Sequence, residues 1–339
     1  MTRPLGLETL EHTISIVIPV YGGRASLPVL VAELESFNQK MQSPGGISFR
    51  VTEVILVNDC GSDGSEHVIR ELAERYPWVQ AVWLSRNYGQ HAATLAGMAA
   101  SSSEWIVTMD EDGQQNPSDI GKLLDTAVQN HSQLVYARPS NKPPHSNLRN
   151  GFSRFAKEIF AKVLTDGSMP YFNSYRLVLG EIGRTLAAYV GSGVYLDVAF
   201  TWVAQDISTC SVELRPELRP RSGYNLRQLS SHFLRLILNS GTRPLRIVSI
   251  TGIGTFFGGV IMAIGVAIGK FTYDYPISGW SSVFVLLLLV GGIIMLVLGI
   301  LAEYLGIVVR SAIGKPLYVA VGDPVKSAHR RHQLTTADE

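Results

Sequence analysis

Two cysteines in 339 residues, Cys60 and Cys210, are too few for a disulfide framework and show no metal-ligand spacing. A reducing compartment is the simpler reading, with Cys60 no more than a small residue in a turn. Excess charge is missing as well: 29 Lys and Arg against 28 Asp and Glu leave a net charge of +1. That excludes the strongly basic face on which broad nucleic-acid binding depends. The N-terminus, MTRPLGLETLEHT, lacks the apolar core of a signal peptide, and the first hydrophobic run, Ile14 to Val20, is too short to cross a bilayer. The N-terminal part is therefore expected in the cytosol. No G-x-x-x-x-G-K-S/T loop occurs, and no G-x-G-x-x-G follows the first strand, so neither an NTPase P-loop nor a dinucleotide fingerprint fits.

Apolar residues are plentiful, 46% of the total, which suffices for one full-sized domain and a second element. The organising stretch is Trp105 to Pro117, WIVTMDEDGQQNP, where a buried-strand pattern stops at two acids, Asp110 and Asp112. Gly113 to Pro117 then turns the chain into a helix near Ser118. The acids thus sit at the carboxyl end of a strand, the edge on which open α/β sheets bind ligands. Two carboxylates one residue apart suit a divalent cation that keeps positions for phosphate oxygens, and Gln114 adds a neutral oxygen. The same acids would also suit a solvated turn or a helix cap, so the surrounding chain has to decide.

Ile14 to Val20 reads as a buried strand entering Pro19-Val20-Tyr21-Gly22-Gly23, with a helix from about Ser26 to Met41. Val54 to Val57 is a second strand, ending in NDCGSDGS at Asn58 to Ser65 before a helix to about Tyr76. Ala81 to Leu84 is a third, followed by SRNYGQH and an alanine-rich helix to about Ala100. A helix from Ser118 to about Gln129 and a strand from Leu134 to Tyr136 follow the acids. Alternating strands and helices indicate an α/β fold with a mostly parallel sheet. Three strand ends rich in Asp, Asn, Ser and Gly must then open on one edge, and that convergence argues for a site.

From Arg138 to about Arg243 the periodicity loosens while Arg138, Arg149, Arg154, Arg176, Arg221 and other basic residues mix with aromatics. Single-stranded nucleic acid or a membrane interface would suit this composition, the latter through a helix from about Leu148 to Leu164. Farther on, Ile247 to Gly269 is 23 residues without a charge and Tyr275 to Ala302 is 28. Both are long enough to span hydrocarbon, and the basic residues flanking them place both termini in the cytoplasm by the positive-inside rule. Gly254 with Gly258 and Gly265 with Gly269 have the spacing that lets membrane helices approach closely. The expected organisation is 1–140 for the α/β part that carries the acids, 141–242 for a basic and aromatic part at the membrane interface, 243–310 for a hairpin with spans at about 247–269 and 282–304, and 311–339 for a cytoplasmic tail.

The order of parts resembles family 2 inverting glycosyltransferases with a GT-A catalytic domain (Rossmann-like), of the subgroup that loads a sugar onto a polyprenyl phosphate. The resemblance runs through IVIPVY at Ile16 to Tyr21, VNDCGSDGS at Val57 to Ser65, LSRNYGQHAA at Leu84 to Ala93 and the DEDGQQNP turn. It continues through YRL at Tyr175 to Leu177, RSGYN at Arg221 to Asn225, RPLR at Arg243 to Arg246, and AEYLG and KPLYV in the C-terminal quarter. It implies a GT-A domain followed by interfacial helices and a two-helix transmembrane hairpin in the plasma membrane. The implied donor is a UDP-, GDP- or dTDP-linked nucleotide sugar, the acceptor undecaprenyl or another polyprenyl phosphate, and the cofactor Mg²⁺ or Mn²⁺. Pro19, Tyr21 and Asp59 would border base and ribose, Asp110 would lie near ribose and diphosphate, and Asp112 with Gln114 would hold the metal. Arg138 and Arg176, with Arg221 a further candidate, would face the acceptor phosphate. Tetramers occur in such families, which leaves a homo-oligomer open.

Two departures stand out. Gly22, Gly23 and Arg24 occupy the place where relatives often carry an acid, and Ser174 stands where many have the Asp of an Asp-Phe-Arg-Leu run. A phosphate monoester is already anionic at pH 7, so its oxygen can attack without a general base if it is held in line. A processive polysaccharide synthase is the competing enzyme, but no Gln-x-x-Arg-Trp motif occurs. A catalytically inactive membrane-anchored partner is the competing non-enzyme, favoured by Ser174 and disfavoured by the retained Asp59, Asp110, Asp112 and Gln114.

Overall fold

The computed structural model describes residues 11–141, 172–191, 194–216, 279–313 and 316–326, and four isolated positions, Phe257, Ile261, Ile264 and Ile268. The chain divides into two compact units, one formed by 1–151, 168–224 and 316–339, the other by 152–167 and 225–315.

The first unit is built on a nine-stranded sheet. Its strands are β1 (His12–Val20), β2 (Met41–Gln42), β3 (Ser48–Asn58), β4 (Val79–Leu84), β5 (Trp105–Thr108), β6 (Leu134–Pro139), β7 (Arg176–Leu179), β8 (Ile207–Val212) and β9 (Ala320–Val321). The order across the sheet is β8-β6-β7-β5-β1-β3-β4-β9, with β2 paired to β3. β1 runs parallel to β3 and β5, β3 to β4, and β6 to β8. β7 is antiparallel to both its neighbours, and β9 to β4. The expected mostly parallel α/β sheet is therefore present, with antiparallel insertions that alternation alone did not indicate.

Helices cover both faces. On one, α1 (Leu27–Glu35), α2 (Ser65–Arg75) and α4 (Ile120–Gln129) pack on Ile14, Ile16, Ile18 and Val20 of β1. On the other, α3 (Gln90–Ala100), α5 (Gly180–Tyr189) and α6 (Leu196–Val203) pack with Val17, Val57 and Val178. The period-two alternation along β1 thus feeds two cores, and each fully buried aliphatic stabilises by about 1.5–3 kcal/mol relative to exposure. α3 lies hard against the sheet: a Cβ on Gly97 would stand 2.3 Å from Val17 Cγ1. Behind the cores, buried Glu53 accepts from Ser15 Oγ, Ser102 N and Gln80 Nε2 at 2.5, 2.6 and 2.9 Å, tying β1, β3, β4 and the turn before β5 together.

The first helix is shorter than the expected 26–41. It stops at Glu35 because Phe37 turns to pack on Phe49 and Asn38 Nδ2 donates to the Val51 carbonyl at 3.0 Å. The loosened region after β6 holds α5, α6, β7 and β8; β7 is a buried strand of only four residues and β8 is half-exposed, so neither carries much periodic signal. The helix expected at 148–164 lies outside the described residues, as do Arg149, Arg154, Arg221 and the paired glycines of 254–269.

The second unit's long described helix is α7 (Trp280–Ala312), 33 residues, with only part of its side chains described. Among the described residues no helix is long and apolar enough to cross a membrane, so the two-helix transmembrane hairpin is not shown. The span expected at 247–269 lies outside the described residues apart from the four isolated positions.

Candidate active site

β1, β3 and β5 lie side by side and parallel, so their carboxyl ends open together. With the loop after β4 and the N-terminus of α3 they form a cleft of about 460 Å³ lined by Pro19, Val20, Tyr21, Asp59, Asn87, Gly89, Gln90, Asp110, Glu111 and Asp112. Five residues expected from the sequence, Pro19, Tyr21, Asp59, Asp110 and Asp112, are thus brought to one place. Arg138 and Arg176 are not among its lining residues, and Arg221 lies outside the described residues.

The loops of this edge are fastened to each other. Glu111, not singled out by the sequence pattern, accepts from the amides of Tyr21 at 2.9 Å and Gly22 at 3.0 Å. The turn after β1 is thereby pinned to the turn after β5. A Cβ on Gly61 would stand 1.4 Å from the Tyr21 carbonyl oxygen, so the turn after β3 presses on the same segment through a residue that must be glycine. Buried Asp59 accepts from the amides of Tyr88 at 2.7 Å and Gly89 at 2.9 Å. Burial raises its pKa, and the two amides offset part of that rise. Asp59 borders the cleft, but its carboxylate is engaged in holding the loop before α3, where Gly89 adopts φ +92°.

Asp110 is the hub. Gln90 Nε2 donates to Oδ1 at 2.6 Å, while Gln115 Nε2 and Ser174 Oγ donate to Oδ2 at 2.9 and 2.5 Å. Its pKa is pushed up to about 6, first by burial and then by the charges of Asp112 and Glu111, against the opposing Ser174 hydroxyl and Arg176. Asp112 Oδ1 accepts the Gln114 amide at 3.0 Å, which shapes the turn, and Gly113 takes φ +75°. Arg215 clasps the turn from beyond β8: its amide donates to the Gln114 carbonyl at 2.8 Å and its guanidinium to Asn116 Oδ1 at 2.6 Å and Glu33 Oε2 at 2.7 Å.

Arg176 requires a correction. Its guanidinium is 3% exposed, pairs with buried Asp197, donates to Thr108 Oγ1 at 3.1 Å and lies over the rings of Tyr136 and Phe200. Tyr136 donates to the same Asp197 at 2.9 Å. Freeing Arg176 for a phosphate would leave a buried carboxylate unpaired, so its positive charge acts from beneath Asp110. Arg138 is exposed, two residues beyond Tyr136 on the same strand face. Nothing in the local sequence singled out Asp197, whose partner arrives from β7, twenty-one residues earlier.

Does this donor set fit a divalent cation? No group of three His, Cys, Asp or Glu residues is gathered for a metal among the described residues. Asp110 and Asp112 line the cleft one residue apart, with Gln114 beside them, and each also accepts a protein donor. That fits an open site in which one or two carboxylates share the ion with substrate phosphates, and it does not fit a closed cage.

Residues 15–181 match the model of the glycosyl transferase family 2. The domain is that of a family 2 glycosyltransferase. The chain is 28% identical over 296 residues to the undecaprenyl-phosphate 4-deoxy-4-formamido-L-arabinose transferase of Pseudomonas paraeruginosa, covering 86% of this chain and 85% of that protein. It is 23% identical to the SfII prophage-derived bactoprenol glucosyl transferase of Shigella flexneri, over 94% of this chain and 98% of that one. Among solved structures it resembles the glucosyl-3-phosphoglycerate synthase of Mycobacterium tuberculosis in complex with Mn²⁺, UDP and phosphoglyceric acid. The TM-score is 0.50 at 17% identity, covering 68% of this chain and 78% of that one, a likeness of fold alone.

Proposed function

We propose that this glycosyltransferase moves a sugar from a nucleotide sugar to a polyprenyl phosphate, undecaprenyl phosphate foremost, at the cytoplasmic face of a membrane. The observation that carries the reading is the cleft itself, where the Asp110–Asp112 turn meets the ends of β1 and β3 within a family 2 domain. Relatives named for undecaprenyl phosphate and bactoprenol match along most of the chain and supply the acceptor class.

In this reading Pro19 and Tyr21 border the base and ribose, with Asp59 holding the loop that completes that wall, and Asp110 accepts from the ribose side. Asp112 and Gln114 would hold Mg²⁺ or Mn²⁺, which when bound offsets the charge of the leaving diphosphate. Arg138 and Arg221 are the candidates for holding the acceptor phosphate, whose anionic oxygen attacks the anomeric carbon once and inverts it. Arg176 holds β7 in place below the turn.

The membrane assignment draws on the uncharged runs 247–269 and 275–302. Phe257, Ile261, Ile264 and Ile268, spaced as one helix face, are 54 to 71% exposed, and along α7 Val283, Leu287, Ile294, Leu298 and Leu305 are 52 to 68% exposed. Apolar stripes of this length are poorly tolerated in water, and lipid covers them in the proposed two-span hairpin.

The test is transfer of label from UDP-, GDP- and dTDP-sugars into organic-extractable lipid by membranes containing the protein, with Mn²⁺ or EDTA. A metal-dependent lipid product that Asp112→Ala abolishes, with membrane insertion intact, is the expected result. Label in a polymer, or no transfer from any donor, overturns it.

A further inference from the structure

Asp110 presents its two oxygens to different surroundings. Oδ2 takes Gln115 Nε2 at 2.9 Å and Ser174 Oγ at 2.5 Å, which fills its acceptor capacity. Among the described residues Oδ1 meets one protein donor, Gln90 Nε2 at 2.6 Å, and Gln90 and Asp110 both line the cleft. Gln115 is 4% exposed and grips the aspartate twice, because its Oε1 also accepts the Asp110 amide at 2.9 Å. Ser174 is held in turn: the Thr108 hydroxyl donates to its carbonyl at 2.5 Å, Arg176 Nε donates to that hydroxyl oxygen at 3.1 Å, and Gln115 Nε2 reaches the Ser174 hydroxyl at 3.0 Å. A carboxylate at 174 could not donate to Asp110 and would set a second anion against it. The serine is therefore matched to the glutamine: one hydroxyl and one amide supply two donors to a single oxygen.

We propose that Gln115 and Ser174 are a positioning pair for Asp110, which fills its inner oxygen so that Oδ1 is the acceptor presented to the nucleotide-sugar donor. The proposal rests on the donor-site reading above and adds to it two residues that touch neither substrate.

The test uses the full-length chain in membranes, with Ser174→Ala, Ser174→Asp, Ser174→Thr and Gln115→Leu compared by donor KM, acceptor KM and kcat, and by affinity for UDP, GDP and dTDP with Mn²⁺. Loss of a hydrogen bond to a charged group corresponds to roughly tenfold or more. Donor KM should rise by about that factor in Ser174→Ala and Gln115→Leu, and further in Ser174→Asp, with acceptor KM unmoved. Ser174→Thr, which keeps the hydroxyl, should return donor KM toward the wild-type value. A merely structural role would lower the amount of active enzyme and leave donor KM where it was. Donor KM in Ser174→Ala within twofold of wild type, or an equal shift in acceptor KM, overturns the proposal, and Ser174→Ala decides it should the other variants fail to accumulate. If the wild-type chain transfers no sugar, the functional reading fails separately and the pair is judged by nucleotide affinity. Equal affinity in wild type and Ser174→Ala, or no binding by either, then overturns it.

Discussion

Asp110 should make the metal-free protein less stable at neutral pH than at mildly acidic pH, and Asp110→Asn should remove that dependence. In the folded chain the Asp110 carboxyl is pushed from its ordinary 3.8 up to about 6, chiefly by burial. The native state therefore keeps a proton that the unfolded chain has already released between those values. Where the native state binds more protons, unfolding free energy falls as pH rises, so the penalty grows through this window and is complete above the folded pKa. A shift of about two units corresponds to roughly 3 kcal/mol in full, of which about 1.4 kcal/mol separates pH 5 from pH 7.5. For a domain of this size that is a difference in Tm of roughly 3–6 °C. The assay is thermal unfolding of the full-length chain in EDTA at the two pH values, wild type against Asp110→Asn, read as the difference between their pH slopes. Adding Mn²⁺ with a nucleotide diphosphate should shrink the wild-type acid advantage, because ligand that favours the anion stabilises the folded state by mass action. Identical slopes in the two proteins, or a wild type that is relatively more stable at the higher pH, would refute the assignment of a raised pKa to burial of Asp110.

Gly61→Ala should displace the Tyr21 carbonyl that a Cβ would meet at 1.4 Å, with a stability cost of about 1–3 kcal/mol and loss of nucleotide affinity as the turn leaves Glu111. Isothermal titration with nucleotide diphosphates and Mn²⁺ checks it, and unchanged affinity counts against this fastening. Asp197→Ala strands buried Arg176 and should cost about 3–5 kcal/mol in denaturant unfolding, with Asp197→Ala plus Arg176→Met recovering part of it; no recovery in the double variant would mean the pair is not the source. Asp323→Ala removes the acceptor of Arg70 Nε, whose two contacts are 3.0 and 3.1 Å. Hydrogen exchange should then quicken at Ser85, whose amide donates to the Val319 carbonyl at 3.0 Å, and equal protection in the variant would show that β9 is held without that ion pair.

Much of the site was legible because its residues are local in sequence. Each of the turns after β1, β3 and β5 is a short polar stretch closing an apolar run, and parallel pairing of those strands is enough to bring Tyr21, Asp59 and Asp110 to one edge. The fold was legible to the same extent: β1, β3, β4, β5 and β6 were placed by buried runs between turn residues. β7 and β8 were not, since a four-residue antiparallel strand and a half-exposed edge give no period to read. Asp59 and Arg176 show the limit most clearly. The family resemblance placed an acid and a base near a ligand site, while packing engaged the acid with two backbone amides and the base with Asp197.

By itself the sequence determined the alternating strands and helices that lead up to β6, the edge on which the acids open, and the uncharged runs of the C-terminal quarter, because these depend on local pattern and on the fixed geometry of βα units. Only the tertiary structure decided which polar groups remain for a ligand. That depends on partners distant in sequence, Glu111 with Tyr21, Ser174 with Asp110 and Asp197 with Arg176. A buried polar group must find a partner wherever the fold brings one, and that pairing determines which oxygen faces the cleft.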